Sequence, residues 1–262
     1  FPGRRGLRKV ARVNLEWALI ADGVAAADVY DVLGTLEGQD RAFAKLETIK
    51  DQVVWWEKGA QPPQLLADGE VVMTSAYNGR LFHAMYVKRK PFEFMWDSQV
   101  YDIDVYTVVK GAPNKDAAFK FLKFCTSAKA LADTTKYIAY GPLRTSSMPF
   151  VNPKILSYLP TAPGNFNPET ALRYRYDFWA KNDHVLAKRF KSWLAKPAVR
   201  IASLTVHSNV MNDKVYIDGV LKGSTSINLD LSKGTHTIRI EKDGYRPYEK
   251  TISLTSNHTI RG

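Results

Sequence analysis

Two carboxylates one residue apart, Asp102 and Asp104 in VYDIDVY, have the residue type and spacing best suited to chemistry. On a strand, residues two apart point to the same face. Adjacent carboxylates repel unless a cation lies between them. Such a pair can hold a ligand ammonium, or it can sit solvated or paired to neighbouring Lys and Arg. A second constellation is Tyr77-Asn78-Gly79, at the end of the short apolar run Val71, Val72 and Met73. That run reads as a strand covered on both faces. In open α/β sheets, ligands sit beyond the carboxyl ends of strands. An aromatic ring beside an amide at such an end can stack on a ligand and hydrogen-bond to it. Equally, Tyr77 can pack while Asn78-Gly79 makes the turn.

Catalysis finds little support. The chain has no nucleophile elbow, P-loop, dinucleotide fingerprint or zinc-type His/Cys spacing. No Gly-x-Glu pattern follows Asp102-x-Asp104 to complete a calcium loop. Cys125, the single cysteine, lies among Phe121, Leu122 and Phe124 and reads as a buried, inert thiol. No cofactor, metal or enzymatic activity is expected.

The elements that must position these residues follow from periodicity and punctuation. Asn14 is a cap for a helix over 14–21, with Leu15, Trp17, Ala18 and Leu19 packing, and Gly23 breaks it. Residues 27–33 form a short helix ending at Gly34. Residues 40–50 carry a helical stripe of Phe43, Leu46 and Ile49. VVWW at 53–56 is a strand with Trp55 and Trp56 on opposite sides. Pro62 and Pro63 suit the first turn of a helix that Gly69 stops. LFHAMYV is a helix, Lys88-Arg89-Lys90 a solvated turn, 92–96 a strand, and 99–109 strongly β. Pro113 to Asp116 caps an amphipathic helix through Phe124, with Ala117, Phe121 and Phe124 on one side. Another helix covers 127–137. Residues 146–167 read as an ordered surface loop with a short helix near Ile155. A helix over 171–194 buries Phe178, Trp179, Val185, Leu186, Phe190 and Trp193, and Pro197 ends it.

LLADGEVVMTSAYNG, with VVWWEKGAQPPQ before it and KGAPNKDAAFKFLKF after it, resembles the polyamine-type solute-binding proteins of bacterial ABC importers. The resemblance runs from about residue 1 to 195 and begins partway through the family's pattern. It implies an α/β periplasmic-binding-protein-like (type II) fold over 1–196, incomplete at its N-terminus. The segment after Gln99 then lies in the hinge and cleft wall, where the family's chain crosses between lobes. Asp104 matches the carboxylate that holds a ligand amine, and Tyr77 the ring that covers its methylene chain. Asp102 falls where many members have an aromatic residue, and Tyr106 and Val108 depart from the family's Trp and Pro. Glu16 and Trp179 fall near further contact positions. The partners implied are a small amine and the membrane permease of an importer, in the periplasm or at the cell surface.

Beyond Arg200 the pattern changes to alternating apolar and polar residues with turns at short intervals, an all-β sandwich over 200–262. VYIDGVLKGST followed by Gly234-Thr235-His236-Thr237-Ile238 and Gly244-Tyr245 is similar to the PEGA domain of surface and envelope proteins. His207, His236 and His258 read as surface strand residues and Tyr245 as core.

The chain has 262 residues and a formal charge of +11; 28 basic and 20 acidic residues precede Pro197, and 9 and 6 follow. The excess is spread, favours anionic surfaces such as an envelope polymer, and does not steer a polycation from afar. With no initiator Met and no signal peptide at FPGRRG, the chain reads as a fragment or processed product. Two functions are consistent with this: a receptor closing around an amine, or a repurposed binding fold serving assembly. In the second, residues 105–109 present open edges for a second chain or a homo-oligomer.

Overall fold

The computed structural model describes residues 3–198 and 201–262. The chain divides into two units, Phe1–Ala195 and Lys196–Gly262. The first opens with a parallel sheet of order β2-β1-β3, built from β1 (Arg5–Arg8), β2 (Val53–Trp56) and β3 (Met73–Thr74). β1 is the central strand, in register Arg8↔Trp56 on one side and Gly6↔Thr74 on the other. A Cβ at Gly6 would lie 2.2 Å from Thr74 Oγ1, so only glycine lets β3 approach this closely.

Helices α1 (Asn14–Ala21), α2 (Val29–Leu33) and α3 (Leu36–Glu47) follow β1. With the long C-terminal helix of this unit they bury Leu15, Leu19, Leu33, Phe43, Leu46, Trp179, Leu186 and Phe190 in one core. Burying each leucine contributes roughly 2 kcal/mol. Trp55 of β2 packs edge-on against Phe190 and Trp193, whereas Trp56 turns to the other side of the sheet, beside Tyr77. Asn14 is not the cap but the first helical residue. Its Nδ2 donates to the carbonyls of Arg8 at 2.6 Å and Val10 at 2.7 Å, which fixes the end of β1.

The short helix α4 (Gln61–Ala67) has proline in its first turn as expected. β3 lies at the sheet edge, and Val72 is 56% exposed, so the run 71–73 is covered on one face only. Tyr77 precedes α5 (Asn78–Phe82), which continues as a π-turn over His83–Val87. Residues 92–96 form no strand. Phe94 instead stacks on Trp96, two residues on, with centroids 4.4 Å apart. Of 99–109, only β4 (Val100–Tyr101) forms a ladder, in parallel with β5 (Leu172–Arg173). The helix expected from 171 therefore begins only at α8 (Tyr176–Ala195), and its Val185 is 61% exposed.

A second core gathers Phe82, Ala132, Ala139, Val151, Ile155, Leu159 and Ala162. Residues 146–167 are thus part of a core rather than a surface loop, through 3-10 turns at Thr145–Phe150 and Pro153–Tyr158. β4 and β5 lie where the chain passes between the two cores. Ser127 caps α7 (Ala128–Thr134). Helix α6 (Lys115–Cys125) is amphipathic, but it turns Ala118, Leu122 and Cys125 half inward and leaves Phe121 63% and Phe124 67% exposed. Ala117 is exposed with them, the reverse of the expected face. Cys125 is only half-buried.

The second unit is a β sandwich. One sheet has the order β11-β10-β7-β8 and the other β12-β6-β9, comprising β6 (Ile201–His207), β7 (Lys214–Ile217), β8 (Val220–Gly223), β9 (Ile227–Ser232), β10 (Gly234–Glu241), β11 (Tyr248–Leu254) and β12 (His258–Arg261). Leu204, Val206, Val215, Ile217, Ile238, Ile240 and Leu254 fill its core. His236 belongs to the interior, because it shares the period-2 face of Ile238 and Ile240. Tyr245 is 61% exposed; Tyr248 is the tyrosine that packs on this core.

Candidate functional site

β1, β2 and β3 run parallel, so their carboxyl ends bring Arg8, Trp56 and, just beyond β3, Tyr77 to one side of the sheet. Arg8 donates from Nη1 to the Tyr77 hydroxyl at 2.6 Å. Its guanidinium lies 5.9 Å from the Trp56 ring centre and 5.6 Å from that of Tyr77. The Tyr77 ring stands edge-on to Trp56 at 6.4 Å. It passes so close to Gly59 that a Cβ there would lie 3.2 Å from its Cδ2. Tyr77 is nonetheless 45% exposed, a fixed ring with an open face. Asn78 is used differently: its Nδ2 donates to the carbonyl of Ala139 and ties α5 to the chain after α7. One N–H of its amide is thereby committed to structure.

Asp102 and Asp104 follow β4 and are both exposed, but not on a strand. Trp17 Nε1 donates to the Ser98 carbonyl at 2.9 Å, and Gln99 Nε2 donates to that of Asn165 at 2.9 Å. The β4–β5 ladder adds Leu172 N to Gln99 O and Tyr174 N to Tyr101 O, each at 2.8 Å. This anchoring delivers the two carboxylates to a concavity of about 530 Å³, lined also by Ile103, Val105, Arg173, Tyr174 and Tyr176. Asp102 accepts from the Tyr176 hydroxyl at 2.6 Å. That bond, more than burial or charge, pushes the phenol up to about 12. Asp104 makes no hydrogen bond or ion pair among the described residues.

Burial raises the Tyr140 phenol first, and the charge of Asp104 comes next, opposed by Arg80. Of the expected residues, Asp102 and Asp104 line one concavity, whereas Tyr77 is not among its lining residues and stands with Arg8 and Trp56 at the carboxyl ends of the sheet.

Glu16 and Trp179 do not join them. Glu16 is fully buried and Trp179 is 1% exposed, within the core of α1, α2 and α8. Trp179 Nε1 donates to Glu16 Oε1 at 2.7 Å, and the Tyr30 hydroxyl donates to the same oxygen at 3.1 Å. They pair with each other, and neither lines the aspartate concavity. Sequence reasoning missed Tyr176 and Arg173, which line the concavity with the aspartates. Both sit near a helix start, and nothing in their spacing points at Asp102. Among the described residues no cluster of His, Cys, Asp and Glu could hold a metal ion.

Residues 1–158 match the family model described as bacterial extracellular solute-binding protein, and 201–261 match the PEGA domain. The chain is 44% identical over 196 residues to a gamma-aminobutyric acid-binding protein of Pseudomonas aeruginosa, spanning 75% of this chain and 55% of the relative. A solved GABA receptor is 35% identical with a TM-score of 0.60, covering 75% of this chain and 59% of that one. A solved ABC transporter substrate-binding protein from Bradyrhizobium japonicum is also 35% identical at a TM-score of 0.60, covering 74% and 59%. The chain thus spans a little over half the length of these relatives. The type II binding-protein fold is shared, whereas the polyamine-type resemblance holds only as far as the wider solute-binding family.

Proposed function

The chain belongs to the bacterial extracellular solute-binding proteins, and on that premise we propose that its first unit holds a small amine for an ABC importer. The observation that carries this is Asp104: an open carboxylate in a tyrosine-walled concavity, beside a second carboxylate already oriented by Tyr176. A ligand ammonium at Asp104 gains a charge-assisted hydrogen bond, and an aromatic face supplies a further cation–π term. Tyr77 is the covering ring, held by Arg8 and Trp56. The first candidate ligand is γ-aminobutyrate, because the relatives carry its name; a long polyamine has no comparable support.

The concavity lies at the β4–β5 crossing between two cores, where a small rotation changes the distance between its walls. Binding at that crossing shifts an open–closed equilibrium that a membrane permease reads. The place of action is the periplasm or cell surface. No helix among the described residues is long and apolar enough to cross a membrane.

Isothermal titration of the whole chain with γ-aminobutyrate and putrescine tests the reading. Wild type binds at least one of them, and Asp104→Ala lowers that affinity at least about tenfold, as loss of a charge-assisted pair requires. No heat from either solute, or an unaffected Asp104→Ala, rejects it.

A second reading, an assembly component, is favoured by the exposed apolar side chains Val105, Tyr106 and Val109, and Phe121 and Phe124 of α6, each more than 60% exposed. It predicts an oligomer, or a complex with a second chain, in light scattering. Phe121→Glu with Phe124→Glu disperses that oligomer at a stability cost below about 0.5 kcal/mol, the range for surface changes.

A further inference from the structure

We propose that the outer face of α8 docks the chain on an anionic lipid bilayer, with Lys181, Lys188 and Lys191 as its contacts. The inference is independent of the amine reading of Asp104.

The placement of these lysines follows from helix geometry. Trp179, Leu186 and Phe190 seal the inner face of α8 into the first core. At about 100° per residue, Lys181, His184, Lys188 and Lys191 fall within an arc of about 80° on the opposite side. All four are exposed. At about 1.5 Å per residue, they are strung along about 15 Å of the helix axis. The buried face fixes the helix, so the three ammonium groups start from one straight, rigid row.

The row is also uncompensated. The two acids of α8 are Asp177 and Asp183, and they pair with Arg175 at 2.5 Å and Arg12 at 2.7 Å. Arg189, which lies off the row, pairs with Asp40. Lys181, Lys188 and Lys191 make no ion pair or hydrogen bond among the described residues. Elsewhere in this unit Asp22 serves Arg41 and Lys45, and Asp133 serves Lys129 and Lys136. The helix dipole does not explain the row, because it favours cations in the last turn and α8 has none there. Like charges three residues apart repel, so Lys188 and Lys191 stand together at a cost to the fold.

An anionic bilayer removes that cost. Its phosphates form an extended layer that meets all three lysines at once, which a compact anion cannot do along such a row. Val185, 61% exposed beside the row, adds apolar area at the level of the headgroups. The inner face stays in the core, so the helix adsorbs and does not insert.

Co-sedimentation of the whole chain with phosphatidylcholine vesicles, with and without phosphatidylglycerol, tests this. Wild type is expected to bind only the anionic vesicles and to be released by salt. Lys181→Gln with Lys188→Gln and Lys191→Gln is expected to weaken partitioning about a hundredfold, and each change alone about fivefold. Lys181→Arg with Lys188→Arg and Lys191→Arg keeps the charge and is expected to bind as wild type does. Lys115→Gln with Lys120→Gln and Lys123→Gln removes the same charge from exposed positions of α6 and is expected to leave partitioning in place. Wild type that ignores anionic vesicles, or binds neutral ones equally, overturns the inference. So does partitioning that survives the triple glutamine change in α8, or that falls as far with the one in α6. Tighter retention on a polyphosphate resin than on anionic vesicles assigns the row to a polymer and overturns it too.

Discussion

Trp179 donates its indole N–H to Glu16 Oε1 at 2.7 Å in a region where both side chains are sealed from water. Tyr30 donates to the same oxygen, and its own hydroxyl accepts from the Arg175 backbone N–H at 3.1 Å. Glu16 Oε2 has no partner. A carboxylate so placed is costly to ionise, and burial lifts Glu16 from its ordinary 4.5 to about 7 against the pull of both donors.

Stability follows from that shift. The folded protein holds a proton on Glu16 between 4.5 and about 7, where the unfolded chain has released it. The contribution is full below the lower value and is lost as pH rises through the higher one, on the order of 3 kcal/mol in all. Urea unfolding at a series of pH values should show this decline. Glu16→Gln should flatten it and unfold at higher denaturant than wild type near pH 8; an unchanged slope would rule the account out.

His236 behaves in the same sense for a different reason. Its Nδ1 meets Asp218 Oδ2 at 2.7 Å and its Nε2 meets the Ser232 carbonyl at 2.6 Å, two acceptors that ask both ring nitrogens to donate. The bond to Asp218, then that to Ser232, raises the imidazole above its ordinary 6.5. The stabilisation is complete below 6.5 and disappears as pH rises through the folded-state value. Nitrogen-edge NMR should show His236 doubly protonated at pH 6, and His236→Asn should cost more stability in acid than in base. A neutral ring at pH 6 would contradict this.

Tyr77 separates ring from hydroxyl. If it covers the solute, Tyr77→Ala should weaken amine binding roughly tenfold, the scale of a lost cation–π face. Tyr77→Phe keeps the ring and frees Arg8 from its 2.6 Å bond, and should cost less than about threefold. Titration of both variants decides; equal losses would assign the effect to Arg8.

Much of the chain was legible because its signals are local. The strand at 53–56, the proline-started α4, the helix around Phe43 and Leu46, and the β alternation after 200 each follow from neighbours within one or two turns. Failures cluster where the outcome depended on distant chain. The β character of 99–109 could not reveal that only Val100 and Tyr101 find a partner, since that partner lies at 172–173. The face of α6 was misread because it carries apolar residues on more than one side, and only contact chose Leu122 over Phe121. His236 was available in principle: its phase with Ile238 and Ile240 marks an inward position.

By itself the sequence determined the change to β alternation beyond Arg200, the locally signalled elements such as β2 and α4, and the proximity of Asp102 to Asp104, because these rest on periodicity and covalent spacing. Only the tertiary structure decided that Glu16 and Trp179 hold each other in a core, and that Tyr176 and Arg173 join the aspartates. The second choice depends on parallel strand pairing between segments about seventy residues apart, and no local pattern encodes which side chains such a pairing will bring face to face.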